Sequence, residues 1–166
     1  MAGNKIGRVT RDGLFTEYSP PTSASAPCGI THGPDGNLWF TESGPGKIGR
    51  LTPSGTFTEF ALPTPSSGPC AITTGPDGNL WFGENSASAI AKLTLAGTIT
   101  SYTLPTSGLL IGGITVGPDG NLWYTLSNLF GGSEVGKVTT GGSFTQYPLG
   151  LGAVPGGIAS GPDGKL

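Results

Sequence analysis

Gly33-Pro34-Asp35-Gly36-Asn37-Leu38-Trp39-Phe40 returns as Gly75-Pro76-Asp77-Gly78-Asn79-Leu80-Trp81-Phe82 and again as Gly117-Pro118-Asp119-Gly120-Asn121-Leu122-Trp123-Tyr124. A fourth copy opens at Gly161-Pro162-Asp163-Gly164, and the opening glycines stand 42, 42 and 44 residues apart. A period of this size outranks any single residue as a guide to the fold. The chemistry of the stretch is that of a tight turn. Proline pre-sets φ, the Asp side chain bonds its own backbone, and the glycine accepts positive φ. The aromatic run that follows reads as a strand.

Working outward, each repeat holds four strand-like segments. The first runs into the turn (Cys28 to Gly33, Cys70 to Gly75, Gly112 to Gly117, Gly156 to Gly161). The second carries the Trp (Asn37 to Glu42, Asn79 to Glu84, Asn121 to Thr125). The third is Lys47 to Leu51 with its echoes at Lys5 to Val9, Ala89 to Leu93 and Glu134 to Val138, and the fourth is Thr56 to Phe60 with its echoes. No stretch shows helical periodicity. Four short strands in about 42 residues is the size of a β-propeller blade. The expectation is an all-β propeller with four blade equivalents per chain: a partial blade over 1–27, blades over 28–69, 70–111 and 112–155, and a partial blade over 156–166. Trp39, Trp81 and Trp123 are expected between blades, and Asp35, Asp77 and Asp119 in the turns, as scaffold.

Composition agrees with many turns: 31 Gly and 15 Pro among 166 residues. Charged residues make up 11 %, against roughly 25 % in ordinary globular chains. A net charge of −2 with no Lys/Arg cluster excludes a nucleic-acid surface. No apolar run reaches the length of a membrane span, and no signal peptide is recognisable, so a cytoplasmic location is expected.

The strands run out of phase with the chain. Between Gly36 and Lys47 lie ten residues, whereas joining Gly164 to Lys5 end to end supplies six. Exposed blade edges are templates for pairing. The expected partner is therefore the protein itself, a homodimer closing an eight-bladed ring. A four-bladed monomer and a piece of a larger ring are the alternatives.

The repeated Gly-Pro-Asp-Gly-Asn-Leu-Trp-Phe-Thr-Glu…Lys-Ile-Gly-Arg-Leu-Thr-Pro-Ser-Gly…Thr-Glu-Phe pattern resembles the streptogramin B lyase (virginiamycin B lyase) family. The resemblance implies a seven-bladed propeller that opens cyclic streptogramins by Mg²⁺-dependent elimination. It implies two His on adjacent blades, a Glu two residues before one of them, and a Glu ending the Trp-Phe-Thr-Glu strand. The His positions, fourteen residues before that Glu, are Cys28, Cys70 and Gly112 here; the Glu two residues earlier is Ala26, Gly68, Leu110 or Val154. Only Glu42 and Glu84 match, the third copy having Leu126.

An elimination needs a base beside the proton it removes. The expectation is thus a non-catalytic, self-associating module with no cofactor, the alternatives being a Mg²⁺-dependent lyase and a small-ligand binder. Glu42 and Glu84 are the weak catalytic and metal candidates, and the plainer reading makes them solvated carboxylates near Lys47. Cys28, Cys70 and His32 are the ligand-binding candidates. The cysteines read first as small buried thiols, with a disulfide or a metal or redox site as alternatives, and His32 as a lone packed or exposed residue. Arg8, Arg50, Lys92 and Lys137 form one basic position per blade, expected to partner strand carboxylates such as Glu17 and Glu59 or to form a solvated edge, the alternative being a ring for an anion. Leu129-Phe130 reads as an exposed apolar tip of the insertion in the longer third repeat.

Overall fold

The computed structural model describes residues 3–128, 132–150 and 152–166. The Leu129-Phe130 tip lies outside them. A hairpin of β1 (Ile6–Val9) and β2 (Phe15–Tyr18) is followed by three four-stranded antiparallel sheets. The first sheet holds β3 (Pro27–His32), β4 (Leu38–Glu42), β5 (Lys47–Leu51) and β6 (Phe57–Ala61); the second holds β7 (Pro69–Thr74), β8 (Leu80–Glu84), β9 (Ala89–Leu93) and β10 (Ile99–Thr103). The third holds β11 (Leu110–Val116), β12 (Leu122–Ser127), β13 (Ser133–Val138) and β14 (Phe144–Pro148). In each sheet the strands neighbour one another in chain order, the up-and-down meander of a propeller blade.

The turn motif does what its residues dictate. Gly36 N–H donates to Gly33 C=O at 3.1 Å, and Gly36 sits at φ +77°, a conformation that favours glycine. The same bond recurs from Gly78 to Gly75 and from Gly120 to Gly117.

The core lies between sheets rather than within them. Trp39 of the first blade is fully buried among Ile72, Leu80, Phe82 and Leu93 of the second. Trp81 is likewise buried among Ile111, Ile114, Leu122 and Tyr124 of the third. Trp123, with no described sheet beyond it, remains partly exposed, stacked on Tyr147 with centroids 5.7 Å apart.

Two hydroxyls tie the first blade to the innermost strand of the second. Thr41 Oγ1 donates to Cys70 C=O at 2.8 Å, and Thr74 Oγ1 to His32 C=O at 2.6 Å. The stretch 156–161 forms no ladder, yet it is held against β11 in the same way: Thr125 Oγ1 donates to Gly156 C=O at 2.6 Å and Ser160 Oγ to Val116 C=O. Contact with the preceding blade therefore places an innermost strand without help from its own sheet.

Candidate functional site at the innermost strands

Cys28 and Cys70 lie near the starts of β3 and β7, where both ladders slip. Pro27 faces Glu42 and Ile30 faces Phe40, so Cys28 and Gly29 together oppose Thr41. Pro69 faces Glu84 and Ile72 faces Phe82, which sets Cys70 and Ala71 against Gly83. In β11 the irregularity falls at Gly112. Such bulges bend a strand and re-aim its side chains. The Gly29 N–H donates to Thr41 Oγ1 at 2.9 Å, and that hydroxyl in turn donates to Cys70 C=O. Gly29 is required by close approach, because a Cβ there would stand 2.3 Å from the Cys70 carbonyl oxygen.

The outcome is a disulfide between Cys28 and Cys70, with Cα atoms 5.0 Å apart and 42 residues of separation. The first reading as buried thiols is thereby corrected. The cysteines are paired, and Cys28 is exposed while Cys70 is partly so. The physical reason is the pair of bulges, which brings equivalent residues of adjacent strands within bridging distance. His32 does not join them. It ends β3, four residues from Cys28 and hence about 13 Å along an extended strand, and its side chain is exposed.

Glu42 and Glu84 are not solvated, which corrects the plainer reading of them. Both are buried at the ends of β4 and β8, with 0 % and 1 % of their surface exposed. Glu84 Oε2 accepts from Ser101 Oγ at 2.8 Å, whereas Glu84 Oε1 and both Glu42 oxygens lack a partner. Burial raises the Glu42 pKa above the usual carboxylate range, and the charge of Glu59 adds to the effect against weaker opposition from Ser25 and Lys47. Lys47 is engaged elsewhere: its Nζ donates to Glu59 Oε2 at 2.7 Å, and Glu59 also accepts from the Thr22 amide and hydroxyl. Burial opposes the Glu59 charge, but these donors outweigh it and lower its pKa.

Arg50, Lys92 and Lys137 pair with the turns rather than with Glu17 and Glu59, a third correction, while Arg8 lies over the Tyr18 ring at 5.7 Å. Arg50, Lys92 and Lys137 stand 3.9, 3.9 and 3.3 Å from Asp35, Asp77 and Asp119. Each cation also lies over its tryptophan, at 5.5, 5.4 and 5.4 Å from the ring of Trp39, Trp81 and Trp123. The same carboxylates accept the indole N–H at 3.0, 3.0 and 2.9 Å. A solvated edge cannot be the whole account, since each charge is shared between a carboxylate and an aromatic face. Glu17 pairs instead with Lys5.

The donor set in this span does not fit a hydrated Mg²⁺. That ion keeps several waters around one or two carboxylates, whereas Glu42 and Glu84 are sealed from solvent. Among the described residues no three His, Cys, Asp or Glu gather as a metal site.

Several contributors escaped the sequence reading. Thr41 and the bulges were invisible because a bulge leaves no composition signature. Asn4, whose Oδ1 accepts from the amide and hydroxyl of Ser25 at 2.7 and 2.6 Å, ties the first hairpin to the next blade. The one available hint was the recurrence of Thr41 as Thr125, while Gly83 breaks the series.

The meandering sheets and their inter-sheet tryptophans define this chain as a lyase-type β-propeller segment. The virginiamycin B lyase family model matches residues 1–166, and the chain belongs to that family. It is similar to virginiamycin B lyase from Staphylococcus aureus at 42 % identity, over 96 % of this chain and 54 % of that one, with a TM-score of 0.88. A catalytically inactive His-to-Ala variant of that enzyme, solved with quinupristin, matches with the same identity and coverage at a TM-score of 0.89. A streptogramin B lyase structure matches at 42 % identity over 87 % of this chain and 47 % of its own, with a TM-score of 0.80. The chain thus spans about half the length of these relatives. No curated protein matches it.

Proposed function

We propose that this span is a non-catalytic propeller segment that self-associates, a second copy covering the open face of its third sheet and completing a ring. The observation that carries the reading is the contrast among three equivalent tryptophans. Trp39 and Trp81 are sealed by the next blade, while Trp123 and its partner Tyr147, 44 % exposed, present the same face uncovered. A face built to be covered, meeting a chain that carries the complementary blade surfaces, favours association of like with like.

The non-catalytic half of the proposal rests on residue types. The resemblance places histidines where this span has a cysteine pair, and loss of a histidine accompanies inactivity in the S. aureus relative. Glu42 and Glu84 are buried, and neither stands beside a general base that opens a ring by elimination.

Light scattering across a dilution series tests the association. A mass that rises to twice that of the chain supports it, and a single monomeric mass at every concentration overturns it. A second reading, ring opening by elimination, starts from the match of Glu42 and Glu84 to the family pattern and has their burial against it. Incubation of the chain with a cyclic streptogramin and Mg²⁺ decides: ring-opened product establishes it, and intact antibiotic at high protein concentration removes it.

A further inference from the structure

We propose that the Cys28–Cys70 bridge is a thiol-exchange site, at which a low-molecular-weight thiol forms a mixed disulfide with Cys28 while Cys70 leaves and later returns. The inference does not rest on self-association, since it concerns one bond within one chain.

Three observations carry it. The two residues differ in exposure: Cys28 is exposed and Cys70 only partly so. Cys28 also lines an open cavity of about 220 Å³ together with Lys5, Gly7, Pro27 and Ile30, which admits the cysteine side of a small thiol. Attack in thiol–disulfide exchange goes to the sulfur that can be reached. Third, the backbone at the bridge is held without the S–S bond. The Thr41 hydroxyl, on β4, accepts from Gly29 N–H of β3 and donates to Cys70 C=O of β7, so one side chain clamps the two bulged strands together. Opening the bond therefore leaves the two sulfur-bearing positions at the 5.0 Å Cα separation that suits re-closure.

The exchange balances without an external oxidant. A thiolate attacks Cys28 Sγ, the S–S bond breaks, and the electron pair leaves on Cys70 Sγ, which takes up a proton. In the return step the Cys70 thiolate attacks Cys28 Sγ in the mixed disulfide and expels the incoming thiol. Because the clamp keeps the partners together, the return step is intramolecular and fast.

Reduced glutathione, added anaerobically to the oxidised full chain at high dilution, provides the test. Samples are quenched in acid and mapped by peptide mass. Glutathione is expected on Cys28 in at least about tenfold excess over Cys70, in line with attack at the accessible sulfur, with the β-sheet circular dichroism unchanged. Cys70→Ser, loaded at the Cys28 thiol by exchange with oxidised glutathione (one glutathione leaving as the thiol), should retain that glutathione after the excess is removed, for want of the returning thiolate. Thr41→Val should slow the return step about tenfold while leaving the first attack unaltered, since only re-closure depends on held strands. Modification mainly at Cys70, reaction only with loss of the sheet signal, or no mixed disulfide in the folded protein overturns the proposal. Should Thr41→Val fail to fold, the labelling rates of Cys70→Ser and Cys28→Ser with oxidised glutathione decide it: equal rates refute the assignment to Cys28.

Discussion

Replacing the three motif tryptophans one at a time by alanine separates what the turn motif contributes from what the neighbouring blade contributes. All three indoles donate to the Asp four residues earlier, lie under a Lys or Arg, and stack on the aromatic of the fourth strand (Phe60, Tyr102 or Tyr147). They differ in cover. Trp39 and Trp81 are fully buried against the next sheet, and their loss leaves a large void, so Trp39→Ala and Trp81→Ala should each cost about 3–5 kcal/mol. Trp123 is partly exposed and keeps mainly its stacking and polar contacts, so Trp123→Ala should cost about 1–2 kcal/mol in the dilute protein. The assay is guanidinium unfolding followed by circular dichroism, at low and at high protein concentration. Self-association predicts that the Trp123→Ala loss grows toward the other two as concentration rises, because a second copy then covers the indole. Equal losses for all three variants in the dilute protein would refute the reasoning, since they would place the stabilisation in the turn motif and not between blades.

Three further substitutions probe the polar positions. Glu42→Leu copies the third blade, where Leu126 fills the equivalent place, and should stabilise the protein at pH 7 by about 1–3 kcal/mol by removing unpartnered buried oxygens. The Glu42 pKa is raised in the folded state, so wild-type stability falls as pH climbs from the ordinary carboxylate range through the raised value. The advantage of Glu42→Leu should accordingly vanish in acid, as pH-dependent unfolding midpoints will show. Asp77→Ala leaves the indole N–H of buried Trp81 without its acceptor and should cost about 1–3 kcal/mol. Burial opposes the Asp77 charge, but the bonds from Asn79 and Trp81 lower its pKa; its contribution is present at neutral pH and lost as pH drops below the usual carboxylate range, so the variant should lack that part of the acid slope. Gly29→Ala sets a Cβ 2.3 Å from the Cys70 carbonyl and should cost about 1–3 kcal/mol by forcing β3 from β7, measurable by the same unfolding assay.

The repeat alone determined a good deal. The spacing of Gly33, Gly75 and Gly117 implied blades, the Pro-Asp-Gly turns implied hairpins, and Trp39 and Trp81 were legible as inter-blade residues. Such features are local in sequence or repeat at a fixed interval, and local turn chemistry combined with periodicity is what a sequence records directly. Tertiary structure decided the site. Whether Cys28 and Cys70 are thiols or a bridge depends on two bulges that leave no mark in composition, and on a threonine hydroxyl spanning two strands. The burial of Glu42 and Glu84 depends on how a neighbouring blade and the linkers close over strand ends. The choice of Arg50, Lys92 and Lys137 between strand carboxylates and turn aspartates is settled by which side chain stands beside them across the sheet. Each is a contact between residues distant in the chain, and its energy depends on geometry that the residue types by themselves leave open.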